Sequence, residues 1–476
     1  MQQLSNKQIQ HRSQHPIRIL QFGGGNFIRA FVDWMVDISN EQTDFNAGVA
    51  IVKPTQRGDY EVLKAQDGLF YVLLNGIQNG ELVEEHRLVK CVQKVIQPYT
   101  QWDEYLKLAE DPNIRFVVSN TTEAGIKFSP EDQKDDQPPK EFPAKLVVWL
   151  HHRFQHFKGD ATKSCIFLPL ELIPENGQQL KQCMLDYAKH WELESNFIQF
   201  IESQIFCDSL VDRIVSGYPE EKAKEIEEKL GVKDDLLVAG EYYHSWVIEA
   251  PEQVAKELPF SRTGLNVKFV DDLNLYRTIK VRLLNGAHTS LVPIGYLRGN
   301  KTVVDGMTDV PLKAFIEAEL QEEIIPTMDA PAAELQAFAN DVIDRFCNPS
   351  LQHQLMAIAL NSTTKFVTRL LPSLLRYQEQ FGQLPKRIVF ALAALFRMYK
   401  GKWKGKTVDL KDDPAHIEFF QSTWQRHSEQ LDLLVPHLLK NEPIWGMNMN
   451  EIEGLGELLI DYLGDFEAHL ESLKIN

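Results

Sequence analysis

The chain has 476 residues, of which 43% are hydrophobic and 25% charged, a balance typical of a globular protein with room for two domains. Its 67 acidic residues outnumber 50 basic ones, and the net charge of -17 argues against nucleic-acid or anionic-lipid partners. Five scattered cysteines without a CxxC pair indicate reduced thiols. The polar N-terminus and the lack of a long apolar stretch predict a cytoplasmic protein without a membrane segment.

The first half of the chain alternates short apolar runs with helical segments. Ile17–Phe22 predicts a strand, which a glycine turn connects to a helix that Asn26 can cap. Such alternation indicates a parallel sheet covered by helices. Further strands are predicted at residues 49–52, 114–119 and 165–170.

Pro259 and Gly264 interrupt the helical pattern before one more apolar run at residues 267–270, and the sequence after that run is almost entirely helical. We therefore predict an α/β protein of two domains. A Rossmann-like, dinucleotide-binding parallel-sheet domain spans residues 1–266, and a mostly α-helical substrate and catalytic domain spans residues 267–476.

The glycine turn is the first candidate for a binding site, because backbone N–H groups at the start of a helix can hold a pyrophosphate. It consists of Gly23, Gly24, Gly25, Asn26 and Phe27. Gly23 and Gly25 match the G-x-G-x-x-G pattern, but Ile28 occupies the third glycine position. A turn that serves only backbone geometry is the alternative, and the surrounding α/β alternation favours a nucleotide. The polar loop after residues 114–119 adds the cofactor-binding candidates Asn120, Thr121 and Glu123.

The choice between NAD and NADP stays open at the level of individual residues. A Rossmann domain that selects NAD usually has an acidic residue at the end of the second strand, where this chain has Lys53. Lys53 and Arg57 could bind the 2′-phosphate of NADP, or they could be solvated charges.

A second candidate cluster, Lys280, Asn285 and His288, follows the predicted domain boundary. On a helix these three side chains share one broad face. Reduction of a ketone needs a proton donor and a dipole that stabilises the developing alkoxide, which a lysine and an asparagine amide supply. Taken singly, each residue is more often structural. Their position near a domain boundary favours function, because substrates commonly bind in clefts between domains.

Other chemistries find little support in the sequence. His152 and His156 have the i, i+4 spacing of helical metal ligands, but they form no H-E-x-x-H motif and no cysteine cluster accompanies them. We interpret them as a solvated helix face and predict no metal. Neither a G-x-S-x-G motif nor a Walker lysine motif is present.

Three segments together resemble the long-chain mannitol dehydrogenase family: Gly23-Gly-Gly-Asn-Phe-Ile-Arg29, Val211-Asp-Arg-Ile214 and Lys280…Asn285…His288. Three more resemble the branch of that family that acts on sugar acids: Phe27-Ile-Arg-Ala-Phe-Val-Asp-Trp34, Val118-Ser-Asn-Thr-Thr-Glu-Ala-Gly125 and Leu283-Leu-Asn-Gly-Ala-His-Thr289. The resemblance implies an NAD-binding N-terminal domain, a helical C-terminal domain and no catalytic metal. It also implies reversible reduction of D-tagaturonate to D-altronate in galacturonate breakdown.

The resemblance also implies roles for individual residues. Lys280 would be the general acid and base, Asn285 would stabilise the oxyanion, and His288 would position the substrate and the lysine. Asn176 would be a second amide on the oxyanion side. Asp212 would lie near the active site, and Lys365 would contact the substrate.

Two departures bear on the substrate. Glu171-Leu172 replaces an Asp-Asn pair of polyol-oxidising members, and Ala357 stands where they have an arginine. Both departures argue against mannitol and are compatible with a uronate, whose carboxylate needs another basic partner. Fructuronate reductase and polyol dehydrogenase remain alternatives, as does a non-catalytic nucleotide sensor. The expected partner is a small hexuronate or aldonate. The protein is expected to act as a monomer or a homodimer.

Overall fold

The computed structural model describes residues 1–9 and 12–475, and the chain divides into two compact units. The first contains the described residues of Met1–Asn75 and Val83–Leu273, and the second those of Gly76–Leu82 and Asn274–Asn476. This division falls shortly after the predicted domain boundary between residues 266 and 267. The strand Val267–Val270 pairs with Ser245–Glu249 and for that reason belongs to the first unit.

Fifteen strands occur among the described residues. In chain order they are β1 (Ile17–Phe22), β2 (Gly48–Val52), β3 (Phe70–Gln78), β4 (Glu81–Val89), β5 (Val92–Ile96), β6 (Phe116–Ser119), β7 (Ile166–Pro169), β8 (Ile205–Phe206), β9 (Asp208–Asp212), β10 (Val215–Gly217), β11 (Val238–Glu241), β12 (Ser245–Glu249), β13 (Val267–Val270), β14 (Lys402–Trp403) and β15 (Lys406–Thr407).

The main sheet has six strands in the order β5-β2-β1-β6-β7-β8, and its pairings are all parallel. Smaller sheets have the orders β10-β11-β3-β4, β13-β12-β9 and β14-β15. From β1 the chain first adds strands on one side, β2 and β5, and then on the other side, β6, β7 and β8. The point at which this direction changes lies in the middle of the main sheet. Ligands of parallel α/β sheets bind at the carboxyl ends of the strands beside such a switch point.

Helices α1 to α9 belong to the first unit. They are α1 (Asn26–Ile28), α2 (Trp34–Gln42), α3 (Glu61–Ala65), α4 (Trp102–Lys107), α5 (Phe142–His156), α6 (Asn176–His190), α7 (Ser195–Glu202), α8 (Ala223–Leu230) and α9 (Glu252–Glu257). A π-helical turn, Arg29–Asp33, joins α1 to α2, so that the chain from Asn26 to Gln42 is one continuous helix.

Helices α10 to α23 belong to the second unit. They are α10 (Asn274–Ile279), α11 (Gly286–Arg298), α12 (Val303–Thr308), α13 (Val310–Ala318), α14 (Ala332–Phe346), α15 (Leu355–Ile358), α16 (Ser362–Arg369), α17 (Leu371–Phe381), α18 (Lys386–Tyr399), α19 (Pro414–His427), α20 (Leu431–Leu439), α21 (Glu442–Trp445), α22 (Leu455–Gly464) and α23 (Phe466–Ser472). Two π turns, Lys280–Asn285 and Glu319–Ile324, extend α10 and α13.

Each unit has its own hydrophobic interior. In the first, successive residues of β1 face opposite sides of the sheet: Ile19 packs into one buried cluster and Leu20 into another. Both faces of the sheet are thus covered, as parallel sheets require. In the second unit, α11 and α18 pack against each other within a mostly helical core. The predicted α/β class with a helical second half is confirmed.

Two further features concern the whole chain. All five cysteines are free thiols. Among the residues that the structure describes, no helix is both long and apolar enough to span a membrane.

Candidate active site

The strand register brings the glycine turn and the β6 loop to one edge of the main sheet. Phe22, the last residue of β1, lies opposite Val52 of β2 and Ser119 of β6. Gly23 and Asn120 follow these strands directly and are therefore neighbours. The edge combines the start of a helix with the switch point of the sheet, the combination that binds dinucleotides in α/β folds.

The three glycines of the turn face different surroundings. Gly23 has a φ of +116°, and a Cβ atom there would lie 2.7 Å from the carbonyl oxygen of Asn120, so the turn requires glycine at this position. Gly25 is exposed at the start of α1, and a Cβ atom there would meet no atom within 4 Å. The open space beside Gly25 lies next to the first N–H groups of the helix, which have no carbonyl partner within it. A pyrophosphate fits this cradle.

Arg29 stabilises the glycine turn through two hydrogen bonds. Its Nε donates to the Gly24 carbonyl at 3.2 Å, and its Nη2 donates to Oδ1 of Asn26 at 2.7 Å. Burial lowers the pKa of this guanidinium to about 10, which leaves it charged at neutral pH. On the other side, the Gly24 N–H donates to the Tyr60 hydroxyl at 2.8 Å. Phe27 stacks on Phe31, which fixes the first helical turn.

Glu171 organises the loop after β6. Its carboxylate accepts from the Ser119 hydroxyl at 2.9 Å and from the Thr121 N–H and hydroxyl at 3.0 Å each. Burial raises the pKa of this carboxyl, and the hydrogen bonds partly offset that shift. Glu171 therefore shapes the loop that carries Asn120, whereas Glu123 is exposed to solvent.

Lys53, which the sequence offered as a ligand for a 2′-phosphate, is buried. Its Nζ donates to the carbonyl of Thr55 in the same loop, and burial lowers its pKa. Arg57 is exposed. One of the three donors of the Lys53 ammonium is thus bound within the loop.

Asn176 is buried at the start of α6 and links that helix to β9. Its Nδ2 donates to the carbonyls of Glu171 at 3.0 Å and Ser209 at 3.1 Å, while its Oδ1 accepts from the Ser209 N–H at 2.9 Å. Both amide hydrogens are thus used within the fold. Its assignment to the oxyanion stays a prediction, and it would require one of these bonds to open. Asp212, half-buried, ends β9 opposite Ser245.

The predicted Lys280 cluster lies on a π turn rather than a regular α-helix. The turn begins at Lys280 and ends at Asn285, and α11 follows with His288 in its first turn. A π turn closes its hydrogen bond over five residues, which aligns residues five apart. Lys280 and Asn285 are five apart and hence share one side of the helix. Single π turns inside α-helices occur frequently at functional sites.

Asn285 and His288 differ in their surroundings. Within the described residues, the Asn285 side-chain amide has no hydrogen-bond partner, so its N–H groups are available to a ligand. The His288 ring packs against Phe346 at 4.2 Å and meets His353 edge-on at 5.6 Å, measured between centroids. These contacts orient the imidazole. Burial is the main cause that lowers the pKa of His353, and the nearby positive charge of Lys365 lowers it further.

Lys365 lies on α16 beside this cluster, and Arg369 lies one helical turn later. Lys365 donates from Nζ to the Ile358 carbonyl at 2.6 Å. The Nη1 of Arg369 lies 3.5 Å from the Asn285 carbonyl oxygen and 3.4 Å from Oγ1 of Thr289. The second unit therefore brings together the predicted Asn285, His288 and Lys365. Two residues that we did not predict lie beside them, the guanidinium of Arg369 and the imidazole of His353.

The two groups of predicted residues belong to different units. The glycine turn, the β6 loop, Asn176 and Asp212 are in the first unit, and the Lys280 cluster and Lys365 are in the second. The sequence did not predict the supporting roles of Arg29, Tyr60 and Glu171, nor did it point to the cationic Arg369. Only Arg369 carried a usable signal, its i, i+4 spacing from Lys365.

No group of three or more His, Cys, Asp and Glu residues in the described part of the chain could hold a metal ion. His152 and His151 contact acidic side chains instead, Glu110 at 3.0 Å and Glu194 at 3.0 Å respectively.

Comparison with known proteins agrees with the two-part organisation. The model of the mannitol dehydrogenase Rossmann domain matches residues 17–262, and that of the mannitol dehydrogenase C-terminal domain matches residues 272–460. The altronate oxidoreductase of Yersinia enterocolitica is 46% identical over 97% of both chains. That of Bacillus subtilis is 44% identical over 97% of this chain and 95% of its own, and that of Shigella flexneri is 44% identical over 96% and 95%.

Solved structures share the fold. D-sorbitol dehydrogenase in its substrate-free form superposes with a TM-score of 0.80 at 23% identity, covering 100% of both chains. The mannitol 2-dehydrogenase of Pseudomonas fluorescens, in a ternary complex with NAD and D-mannitol, superposes with a TM-score of 0.63 at 20% identity, covering 99% of both. The resemblance inferred from the motifs is confirmed. With both family models matched and close relatives aligned over nearly its whole length, the chain belongs to the mannitol dehydrogenase family.

Proposed function

We propose that the protein is an NAD-dependent oxidoreductase that reversibly reduces D-tagaturonate to D-altronate in hexuronate catabolism. The observation that carries the proposal is the 44–46% identity to altronate oxidoreductases, which extends over both units rather than over the nucleotide-binding unit alone. Substrate-recognising residues are thus included in the aligned region.

The first unit offers the cofactor site. The N–H groups at the start of α1 and the space beside Gly25 would hold the pyrophosphate, and the loop of Asn120, Thr121 and Glu123 would border it. When bound, NADH supplies the hydride that reaches the ketone carbon. NAD is favoured over NADP because Lys53 is buried and already donates to the Thr55 carbonyl.

The second unit offers the proton-transfer group. The ammonium group of Lys280 would protonate the substrate oxygen as the ketone becomes an alcohol, and in the reverse reaction the neutral amine would accept that proton. The Asn285 amide, whose N–H groups lack a partner in the described residues, would hold the oxygen while negative charge develops on it. His288, fixed between Phe346 and His353, would position the substrate.

The proposal includes the predicted location and assembly, a cytoplasmic enzyme acting as a monomer or homodimer. The net charge of -17 supports a freely diffusing enzyme rather than one bound to anionic surfaces. Light scattering during size-exclusion chromatography measures the assembly, and a mass above that of two chains would contradict it.

Altronate oxidation tests the proposed reaction. The purified protein is incubated with NAD and either D-altronate, D-mannonate or D-mannitol, and NADH formation is followed by absorbance. We expect D-altronate to give the highest kcat/KM. A preference for D-mannonate would indicate a fructuronate reductase, a preference for mannitol would indicate a polyol dehydrogenase, and no turnover with any of them would favour a sensor.

A further inference from the structure

Two cations on α16 lie on one face of that helix. Lys365 and Arg369 are four residues apart, so their side chains are neighbours, and like charges at this spacing destabilise a helix. Both side chains are half-buried, and burial lowers the pKa of each. The fold thus holds two mutually repelling positive groups partly away from bulk water. The negative charge of Asp412 offsets part of the charge of Lys365, and an anion beside Arg369 would relieve the remaining repulsion.

Arg369 is weakly engaged by the protein. Among the described residues it forms two hydrogen bonds, to the Asn285 carbonyl at 3.5 Å and the Thr289 hydroxyl at 3.4 Å, and both are longer than the usual 2.7–3.2 Å. Within the part of the chain that the structure describes, no carboxylate pairs with it. A half-buried guanidinium with five donors therefore has unused hydrogen-bonding capacity.

Three other arginines of the second unit form the short hydrogen bonds that are typical of a structural role. Arg298 pairs with both oxygens of Asp309 at 2.6 and 2.8 Å, and Arg387 pairs with Glu322 at 2.7 Å. Arg282, which also lacks a carboxylate among the described residues, donates to the hydroxyls of Ser373 at 2.6 Å and Thr327 at 3.0 Å. Arg369 differs from all three because both of its hydrogen bonds are long.

The position of Arg369 fits one end of the proposed substrate. Its guanidinium lies against the turn that carries Asn285, whose amide would hold the reacting oxygen. In D-tagaturonate, three hydroxyl-bearing carbons separate the ketone carbon from the carboxylate. Because the carbon chain of the substrate is short, its carboxylate must bind close to the side chain that holds its ketone oxygen.

We infer that Arg369, assisted by Lys365, forms the subsite that binds the carboxylate of the sugar acid. The inference rests on the proposed function and names the basic partner that a uronate substrate requires. The planar guanidinium fork matches the two oxygens of a carboxylate, and the Lys365 ammonium adds a second positive charge on the same helix face. Arg369 is thus a substrate-binding residue that selects acids over neutral ketoses.

The test replaces Arg369 with glutamine and follows NADH oxidation with D-tagaturonate and with D-tagatose, which has CH2OH in place of the carboxylate. We expect Arg369→Gln to raise the KM for D-tagaturonate and lower kcat/KM by about 10- to 150-fold, the value of a charge-assisted hydrogen-bond pair. The rate with D-tagatose should change less than about twofold. Equal losses with both substrates, or no loss with either, would overturn the inference.

Two further variants separate binding from folding. Arg376→Gln is the matched control, because Arg376 is exposed on the next helix and pairs with Glu379 at 3.2 Å; it should behave like the wild type. Arg369→Ala should regain turnover of D-tagaturonate when guanidinium is added at millimolar concentration, whereas a residue needed only for folding would not be rescued. Both variants must also retain the wild-type melting temperature and affinity for NADH.

Failure of the proposed function gives a different result from failure of this inference. If the wild type does not reduce D-tagaturonate, the proposed function fails. If the wild type reduces it and Arg369→Gln does so equally well, the reaction stands, and the carboxylate binds elsewhere.

Discussion

Two asparagines were predicted to act on the same substrate oxygen, yet their amides are in different states. Asn176 is buried and donates both amide hydrogens to backbone carbonyls, whereas the Asn285 amide has no partner within the described residues. An amide can stabilise an oxyanion only through a hydrogen that is available to it. Removal of each side chain should therefore have a different consequence.

Asn285→Ala should lower kcat for D-tagaturonate reduction by about 10²- to 10³-fold and leave stability unchanged, because it removes an oxyanion donor. Asn176→Ala should instead lower the free energy of unfolding by about 1–3 kcal/mol, because the Ser209 N–H and carbonyl lose their buried partner. Steady-state kinetics and urea unfolding of both variants provide the measurement. A large loss of kcat in a stable Asn176→Ala protein would place Asn176 on the oxyanion after all.

Lys280→Met retains the length of the side chain and removes its proton-transfer group. We expect kcat to fall by about 10²- to 10⁴-fold in both directions. A Lys280→Met enzyme with the wild-type rate would exclude Lys280 as the acid and base. Lys301→Met, which changes an exposed lysine of the same unit, is the control and should behave like the wild type.

Glu319 is a buried carboxyl in the second unit, and its hydrogen-bond partner among the described residues is the Ser290 hydroxyl, which donates to it at 2.6 Å. Burial raises its pKa well above the usual range. A carboxyl with a raised folded-state pKa binds its proton more tightly when the protein is folded. Its contribution to stability is therefore complete below the unfolded-state pKa of about 4.3 and is lost as the pH rises towards the folded-state value.

Glu319→Gln has no proton to lose. Relative to the wild type, its free energy of unfolding should increase by up to about 1.4 kcal/mol per pH unit between about pH 4.3 and the folded-state pKa. Urea unfolding at pH 5 and pH 8 measures this difference, and Glu317→Gln, which changes a neighbour whose side chain is 44% exposed, is the control. A difference that is identical at the two pH values would show that Glu319 is ionised in the folded protein.

At the scale of elements, the β1–α1 turn makes separate demands on its glycines. Gly23→Ala should lower the free energy of unfolding by about 1–3 kcal/mol, because of its positive φ and the approach of the Asn120 carbonyl. Gly25→Ala meets no protein atom and should fold like the wild type. Its methyl group would occupy the proposed pyrophosphate space, and we expect the Kd for NADH to rise about 10- to 100-fold.

Titration of NADH by fluorescence, with thermal melting as the test of folding, distinguishes the two glycines. Gly456→Ala is the control, since a Cβ atom there also meets nothing within 4 Å, and it lies in the second unit. Tight NADH binding by Gly25→Ala would mean that the pyrophosphate does not approach this turn.

The sequence predicted elements well where they depend on local patterns. The apolar run Ile17–Phe22, the glycine turn and the helix at Asn26 occur as predicted, because periodicity and turn residues specify them locally. The π turn at Lys280–Asn285 was not predicted, since one inserted residue hardly alters a hydrophobic pattern. Likewise, Glu171 binding the β6 loop and Arg369 approaching Asn285 depend on contacts between distant segments, which a single sequence does not reveal.

At the scale of the whole molecule, the net charge of -17 opposes both anions of the proposed reaction, the sugar acid and the dinucleotide. Local groups must therefore attract them: a helix N-terminus in the first unit, and Lys365 with Arg369 in the second. Each unit has its own core and carries its own part of the proposed machinery. Because the substrate is selected by individual side chains, the family fold alone does not determine which ketose is reduced.

The most direct test of the account is NADH oxidation, followed by absorbance, with D-tagaturonate, D-fructuronate and D-fructose side by side, repeated with NADPH for the best substrate. The account predicts the highest kcat/KM for D-tagaturonate and a clear preference for NADH over NADPH. A preference for D-fructuronate or D-fructose would contradict the proposed substrate and leave the family intact, and absence of turnover with all three would contradict the proposed enzyme.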